Sequence, residues 1–172
     1  MRMMVAFLLI IGLAVADSAA GIKWTMPAAW KSEGARPMRA ATYRIPAASG
    51  DAEDGECGVF YFGSGQGGSV DDNLKRWIGQ FVQPGGKASE QAARVQKQTI
   101  NGLSVTTVDL SGAYTGAGGP MAAAKTSKPG FRLVGAIVEA PQGAVFFKFT
   151  GPAKTVAANQ AAFQGLLKTL GR

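Results

Sequence analysis

Histidine is absent from the chain, and a single cysteine, Cys57, stands among its 172 residues. The first absence removes the commonest general base, the usual zinc ligand and every Ser-His or Cys-His nucleophile pair. Catalysis would have to run on carboxylates, lysine or tyrosine, and the sequence assigns no catalytic residue. The lone thiol has no partner within the chain, so in an oxidising compartment it is either buried or joined to another chain. Cys57 lies within an apolar strand pattern and reads as a small buried hydrophobe. Acidic groups are few, 11 against 18 lysines and arginines, for a formal net charge of +7. That surplus favours anionic partners. The basic residues, Lys31, Arg36, Arg39, Arg44, Lys75, Arg76, Lys87, Arg94, Lys97, Lys125 and Lys128 among them, are scattered. A nucleic-acid footprint clusters, so no nucleic-acid partner is expected.

Long apolar runs are also missing. The longest, Met3 to Ala16 behind Arg2, falls short of the roughly 20 residues a permanent span needs. It reads as a secretory signal peptide over residues 1–20, with an uncleaved anchor as the alternative. Small residues at Ala14-Val15-Ala16 and at Ser18-Ala19-Ala20 both suit signal peptidase. Cleavage after Ala20 leaves one domain, 21–172, of a size that holds a proper core. The protein is therefore expected in the periplasm or outside the cell, with no stable membrane span after cleavage. No cysteine lies near the cleavage region to carry a lipid anchor.

Periodicity supplies the elements. Lys23–Met26, Met38–Ile45 and Glu56–Phe62 read as strands, the last two as an antiparallel pair. A glycine loop, Gly63 to Gly68, leads to a helix capped by Ser69, with Asp71 and Asp72 in its first turn. Leu74, Trp77, Ile78 and Phe81 form its apolar stripe, and Pro84-Gly85-Gly86 ends it. Arg94–Ile100 and Leu103–Leu110 flank Asn101-Gly102, a strong hairpin signal. Phe131–Ala140 and Ala144–Thr150 form a second hairpin, apolar on both faces and therefore central. A last helix begins near Pro152, with Val156, Gln160, Phe163, Leu167 and Leu170 on one stripe. The fold class is α+β: a mostly antiparallel sheet with helices on opposite faces. Ser111 to Gly130, rich in glycine and alanine, is long for a bare connection and reads as a binding loop or a mobile one.

Gly63-x-Gly65-x-x-Gly68 matches the dinucleotide fingerprint in letters. That fingerprint needs a parallel βαβ unit and an acidic residue about 20 residues on, where Gln83 and Pro84 stand instead. No cofactor is assigned. Asp51, Glu53, Asp54 and Glu56 lack the spacing of a calcium loop, and no metal is assigned. The helix flank is more informative. Asn73, Arg76 and Gln80 fall together beside the apolar stripe, a polar rim suited to a ligand groove or to tying down the glycine loop. Gly65, Gly67, Gly68, Asn73, Arg76, Trp77 and Gln80 are the groove candidates. Trp24, Trp30 and Trp77 read as core corners, each with a donor to satisfy.

Trp24-x-x-Pro27-x-x-Trp30, Met38-Arg39-x-Ala41, and Gly63-x-Gly65-x-Gly67-Gly68 leading into Asn73-x-x-Arg76-Trp77-x-x-Gln80-Phe81 run through the chain. Phe147-Lys148-Phe149-x-Gly151-Pro152 follows at the entry to the last helix. With these the chain resembles a group of exported bacterial proteins of unknown function with a PsbP/Mog-like fold. The resemblance implies an α/β/α sandwich of six or seven strands between helices. PsbP sits on photosystem II and Mog proteins bind a small GTPase, but no residue here matches those partner surfaces, and a fold does not carry a function with it. The reading is an exported, non-catalytic binding or accessory module whose partner is a protein or an envelope component. Two alternatives stand beside it: a carboxylate-based hydrolase of cell-envelope polymers, and an envelope structural protein that self-associates through an open helix stripe.

Overall fold

The first two strands are a hairpin closed by Ala20 and Gly21, both at positive φ as a two-residue turn requires. In the computed structural model, which describes residues 16–116 and 127–172, these are β1 (Ala16–Ala19) and β2 (Ile22–Thr25), paired antiparallel. The expected boundary between residues 20 and 21 falls inside that turn, and the fold takes in Ala16 to Ala20. Asp17 accepts from the Tyr43 hydroxyl, which also accepts from Trp24 Nε1 at 2.7 Å. Both rings are buried, and the phenol's pKa is pushed up by burial and then by its bond to Asp17.

The rest of the chain runs β3 (Lys31–Ser32), β4 (Arg39–Ile45), β5 (Gly55–Phe60), α1 (Val70–Ile78), β6 (Phe81–Val82), a 3-10 turn at Pro84–Gly86, and α2 (Ser89–Ala92). There follow β7 (Arg94–Ile100), β8 (Leu103–Tyr114), β9 (Lys128–Ala140), β10 (Gly143–Pro152) and α3 (Ala153–Lys168). The main sheet has eight strands in the order β3-β4-β5-β10-β9-β8-β6, with β7 paired to the start of β8. Every pairing is antiparallel. The expected fold class is what forms, with one or two strands more than expected, because short pieces at β3 and β6 join the edges.

Alternation decides the layers. Tyr43, Cys57, Val59, Phe147 and Phe149 turn to one face, where α3 lays Val156, Phe163, Leu166 and Leu167, joined by Trp24 and Trp30. Cys57 is fully buried, and burial raises its thiol pKa. Val108, Leu110, Leu133, Ile137 and Phe146 turn to the other face, under Leu74, Trp77 and Ile78 of α1. Both helix stripes are thus covered within the chain. Gly135 of β9 carries no side chain because Trp77 takes its place: a Cβ there would stand 2.6 Å from Trp77 Cζ3.

Two boundaries differ from expectation. The α1 helix stops at Gly79, whose amide closes the last turn on Lys75, so Phe81 continues the apolar spacing from a strand. Ser111 to Tyr114 extend β8 and Lys128 to Gly130 begin β9, so the 111–130 segment is partly sheet. Residues 117–126 of it lie outside the described residues. No helix among the described residues is long and apolar enough to cross a membrane.

Candidate functional site

The start of α1 is built by capping. Ser69 Oγ accepts from Asp72 N at 3.1 Å and donates to the Asp72 carboxylate at 2.6 Å. One turn on, buried Asn73 donates to Gly67 O at 2.7 Å and Ser69 O at 2.8 Å, clamping the glycine loop to the helix. Its Oδ1 accepts from Arg76 Nη2. The loop in turn lies on aromatics: Gly67 has φ +92, and a Cβ on it would meet Phe62 at 2.9 Å and Phe146 at 3.0 Å. Glycine is needed here for close approach.

Together these parts enclose a recess of about 110 Å³ lined by Phe60, Phe62, Asn73, Arg76, Trp77, Phe146 and Lys148. It shares Phe62, Asn73 and Arg76 with an adjoining, wider depression of about 500 Å³ bounded also by Gln66, Gly67, Gly68 and Asp72. The Phe60 and Phe62 rings stack at 6.2 Å, tilted by 16°, and Phe62 meets Phe146 at 5.7 Å. Arg39 lies over the Phe60 ring at 4.9 Å and pairs with Glu56 at 2.8 Å.

Lys148 stands at the far wall. On β10 it turns to the α1 face, between Gly58 of β5 and Gly135 of β9 in register. The Phe60 ring takes the space over one glycine and Trp77 the space over the other. The ammonium donates to Gln80 Oε1 at 2.5 Å and to the Tyr114 hydroxyl at 3.4 Å. Burial, then the positive charge of Arg39 and of Arg76 against the opposing pull of Glu56, pushes its pKa down to about 8. Burial likewise raises the Tyr114 phenol.

Of the seven groove candidates, Gly67, Gly68, Asn73, Arg76 and Trp77 line these two adjoining depressions. Gln80 joins through Lys148, its own carbonyl held by Thr115 N at 2.7 Å. Gly65 sits at the loop tip with no neighbour over it and lines neither depression. The aromatic floor and Lys148 are additions from structure. A lysine between Phe147 and Phe149 in a strand read as covered on both sides was their signal in the sequence.

The carboxylates do not converge. Asp51 accepts from Thr155 N and Oγ1 at 2.8 and 2.6 Å, capping α3; Glu53 pairs with Lys128, Asp54 with Arg44, Glu56 with Arg39 and Asp109 with Arg132. The Arg44 bond holds the exposed Asp54 carboxyl below its usual range. Among the described residues no group of three or more acidic or thiol ligands is placed to hold a metal. The glycine loop follows β5, which pairs antiparallel on both sides, so the parallel βαβ setting of a dinucleotide site is missing.

A second cleft, of about 440 Å³, runs between α3 and β7, with Gln96, Gln98, Gln160 and Gln164 along it. Asp109 and Gln160 in its lining both bind Arg132, by bonds of 2.6 to 3.0 Å.

Neither a family model nor a curated protein sequence matches the chain. Solved structures do. One is PA94 of Pseudomonas aeruginosa, a protein of unknown function, at 12% identity and a TM-score of 0.48, over 94% of this chain and 98% of that one. Another is cyanobacterial PsbP (CyanoP) from Synechocystis sp. PCC 6803, at 11% identity and a TM-score of 0.53, over 96% of this chain and 97% of that one. At that identity the likeness speaks to architecture alone, and the architecture of this chain is PsbP-like.

Proposed function

We propose that this chain is an exported, non-catalytic binding or accessory module, and that its ligand sits in the recess between the glycine loop, α1 and the β5–β10 face. One observation carries the reading: aromatic and cationic side chains from β5, α1 and β10 meet around one open recess beside two stacked phenylalanines. Such a mix of apolar wall and few polar groups is what small-ligand sites use. The separate engagement of Asp51, Glu53, Asp54, Glu56 and Asp109 weighs against a hydrolase, and the covered helix stripes against self-association through them.

Export rests on the apolar run behind Arg2, and the β1–β2 hairpin favours processing after Ala16, which keeps Asp17 in the fold. The test of the site is a fragment screen followed by amide chemical shifts of the labelled protein. Binders should move Gly67, Gly68, Asn73 and the Trp77 indole together. Binders that gather instead along Gln96, Gln98 and Gln164 would overturn the choice of site.

A further inference from the structure

Two cations border the recess without a counter-charge. Among the described residues, neither Lys148 nor Arg76 forms an ion pair. Lys148 has only the neutral oxygens of Gln80 and Tyr114, and Arg76 has only the Asn73 amide oxygen. The acids close by are turned elsewhere: Glu56 is in an ion pair with Arg39 at 2.8 Å, and Asp72 is in a helix-cap hydrogen bond from Ser69 without one. A half-buried ammonium facing like charges from Arg39 and Arg76 is costly until an anion joins it. Beside it lie Phe60 and Phe62, both half-exposed, their rings near parallel with centroids 6.2 Å apart.

The geometry points to a ligand of one chemical class: a small planar molecule carrying a carboxylate, its anionic end between Lys148 and Arg76 and its flat body on Phe60 and Phe62. This rests on the binding reading of the same recess and names what the recess takes. The narrow part, about 110 Å³, holds the carboxylate and one edge of the ring, and the wider depression admits the remainder. Electrostatic complementarity then supplies the selection, since a neutral molecule of the same shape leaves both cations unpaired.

The experiment is a titration of the labelled protein with naphthoate, with naphthalenemethanol as its neutral counterpart, and with acetate as an anion lacking the ring. Naphthoate is expected to move Gly67, Asn73 and the Trp77 indole. Naphthalenemethanol, acetate, and naphthoate on Lys148→Met should each bind roughly tenfold more weakly or worse. Lys148→Arg should recover most of the affinity, and Arg76→Gln carries the same expectation as Lys148→Met should that variant fail to fold. Binding should weaken from about pH 7 to about pH 9.5 as Lys148 loses its proton. Equal binding of the neutral and anionic probes at the recess would overturn the ligand class while leaving the recess as a site. Naphthoate binding unchanged by both Lys148→Met and Arg76→Gln would overturn it too. Failure of all three probes to reach the recess would overturn the class and the site together.

Discussion

Lys148 holds an ammonium in the middle of an eight-stranded sheet, where a charge needs water, a partner or an altered pKa. It has taken the third course, with a pKa near 8 in place of 10.5. The consequence for stability has a definite sign. A base whose pKa is lowered by folding is penalised while protonated, so the full penalty is present below about pH 8. Between that value and the ordinary lysine range the unfolded chain holds more protons than the folded one, and stability rises with pH. Cys57 and Tyr43 act oppositely at alkaline pH, since burial raises both their pKa values and unfolding releases their protons more readily. Comparison with Lys148→Met isolates the lysine. The variant should be the more stable protein near pH 7, and its advantage should shrink steadily toward pH 10 in urea unfolding. An advantage that stayed constant across that range would mean the amine is as well solvated folded as unfolded. At this scale, burial of Cys57 is legible from its apolar strand pattern, and burial of the three tryptophans from the large apolar area each carries. Lys148 was passed over because alternation names the face a residue turns to. It does not tell that both neighbouring strands present glycines there, over which the Phe60 and Trp77 rings pack beside the lysine.

Elements were legible where period and punctuation agreed. Asn101-Gly102 between two alternating runs marked the β7–β8 hairpin, and two-sided apolar character marked β9 and β10 as central. The α1 helix ends short of its expected stripe because Phe81 keeps helical spacing from Leu74 and Trp77 while belonging to a strand. Of the first hairpin only β2 is legible, as the expected strand Lys23–Met26, and β1 is hidden for a chemical reason. Ala16-Asp17-Ser18-Ala19 has poor strand propensity and directly follows the apolar run of a leader. Its place in the fold comes from tertiary contacts: Asp17 on Tyr43, Ala20 O on Gln142 N at 3.0 Å, and Trp24 against Phe147 at 5.1 Å. A chain beginning at Asp17 should therefore be more stable than one beginning at Gly21. The shorter chain leaves the Tyr43 hydroxyl without its carboxylate, a loss of about 1.5–3 kcal/mol for a hydrogen bond to a charged group. Denaturant titration of the two chains checks the difference. Amino-terminal sequencing of the protein from its native envelope should start at Asp17, and a start at Gly21 would contradict the processing proposed above.

The sheet divides the molecule unequally. Its α3 face carries the larger apolar cluster, closed by a 16-residue helix and the β1–β2 hairpin, with Asp51 fixing the helix start. The α1 face carries the smaller cluster under a helix of nine residues. A helix that short is not stable alone, since isolated helices need about 12–15 residues even to be marginal. It is held by Leu74, Trp77 and Ile78 and by the Asn73 clamp on the glycine loop, and it forms one wall of the recess. The side proposed to bind is thus the less secured layer of the sandwich. Opening of α1 with the Gly63–Gly68 loop should cost less free energy than opening of the rest, because fewer buried contacts break. Native-state hydrogen exchange should show amides of Leu74 to Ile78 exchanging well before those of β9, β10 and α3. A ligand in the recess binds only the closed form, so it should slow exchange in α1 while leaving α3 unchanged. If α1 proves as protected as the central strands, the two layers open as one unit, and the recess is a rigid cleft with no separately mobile wall.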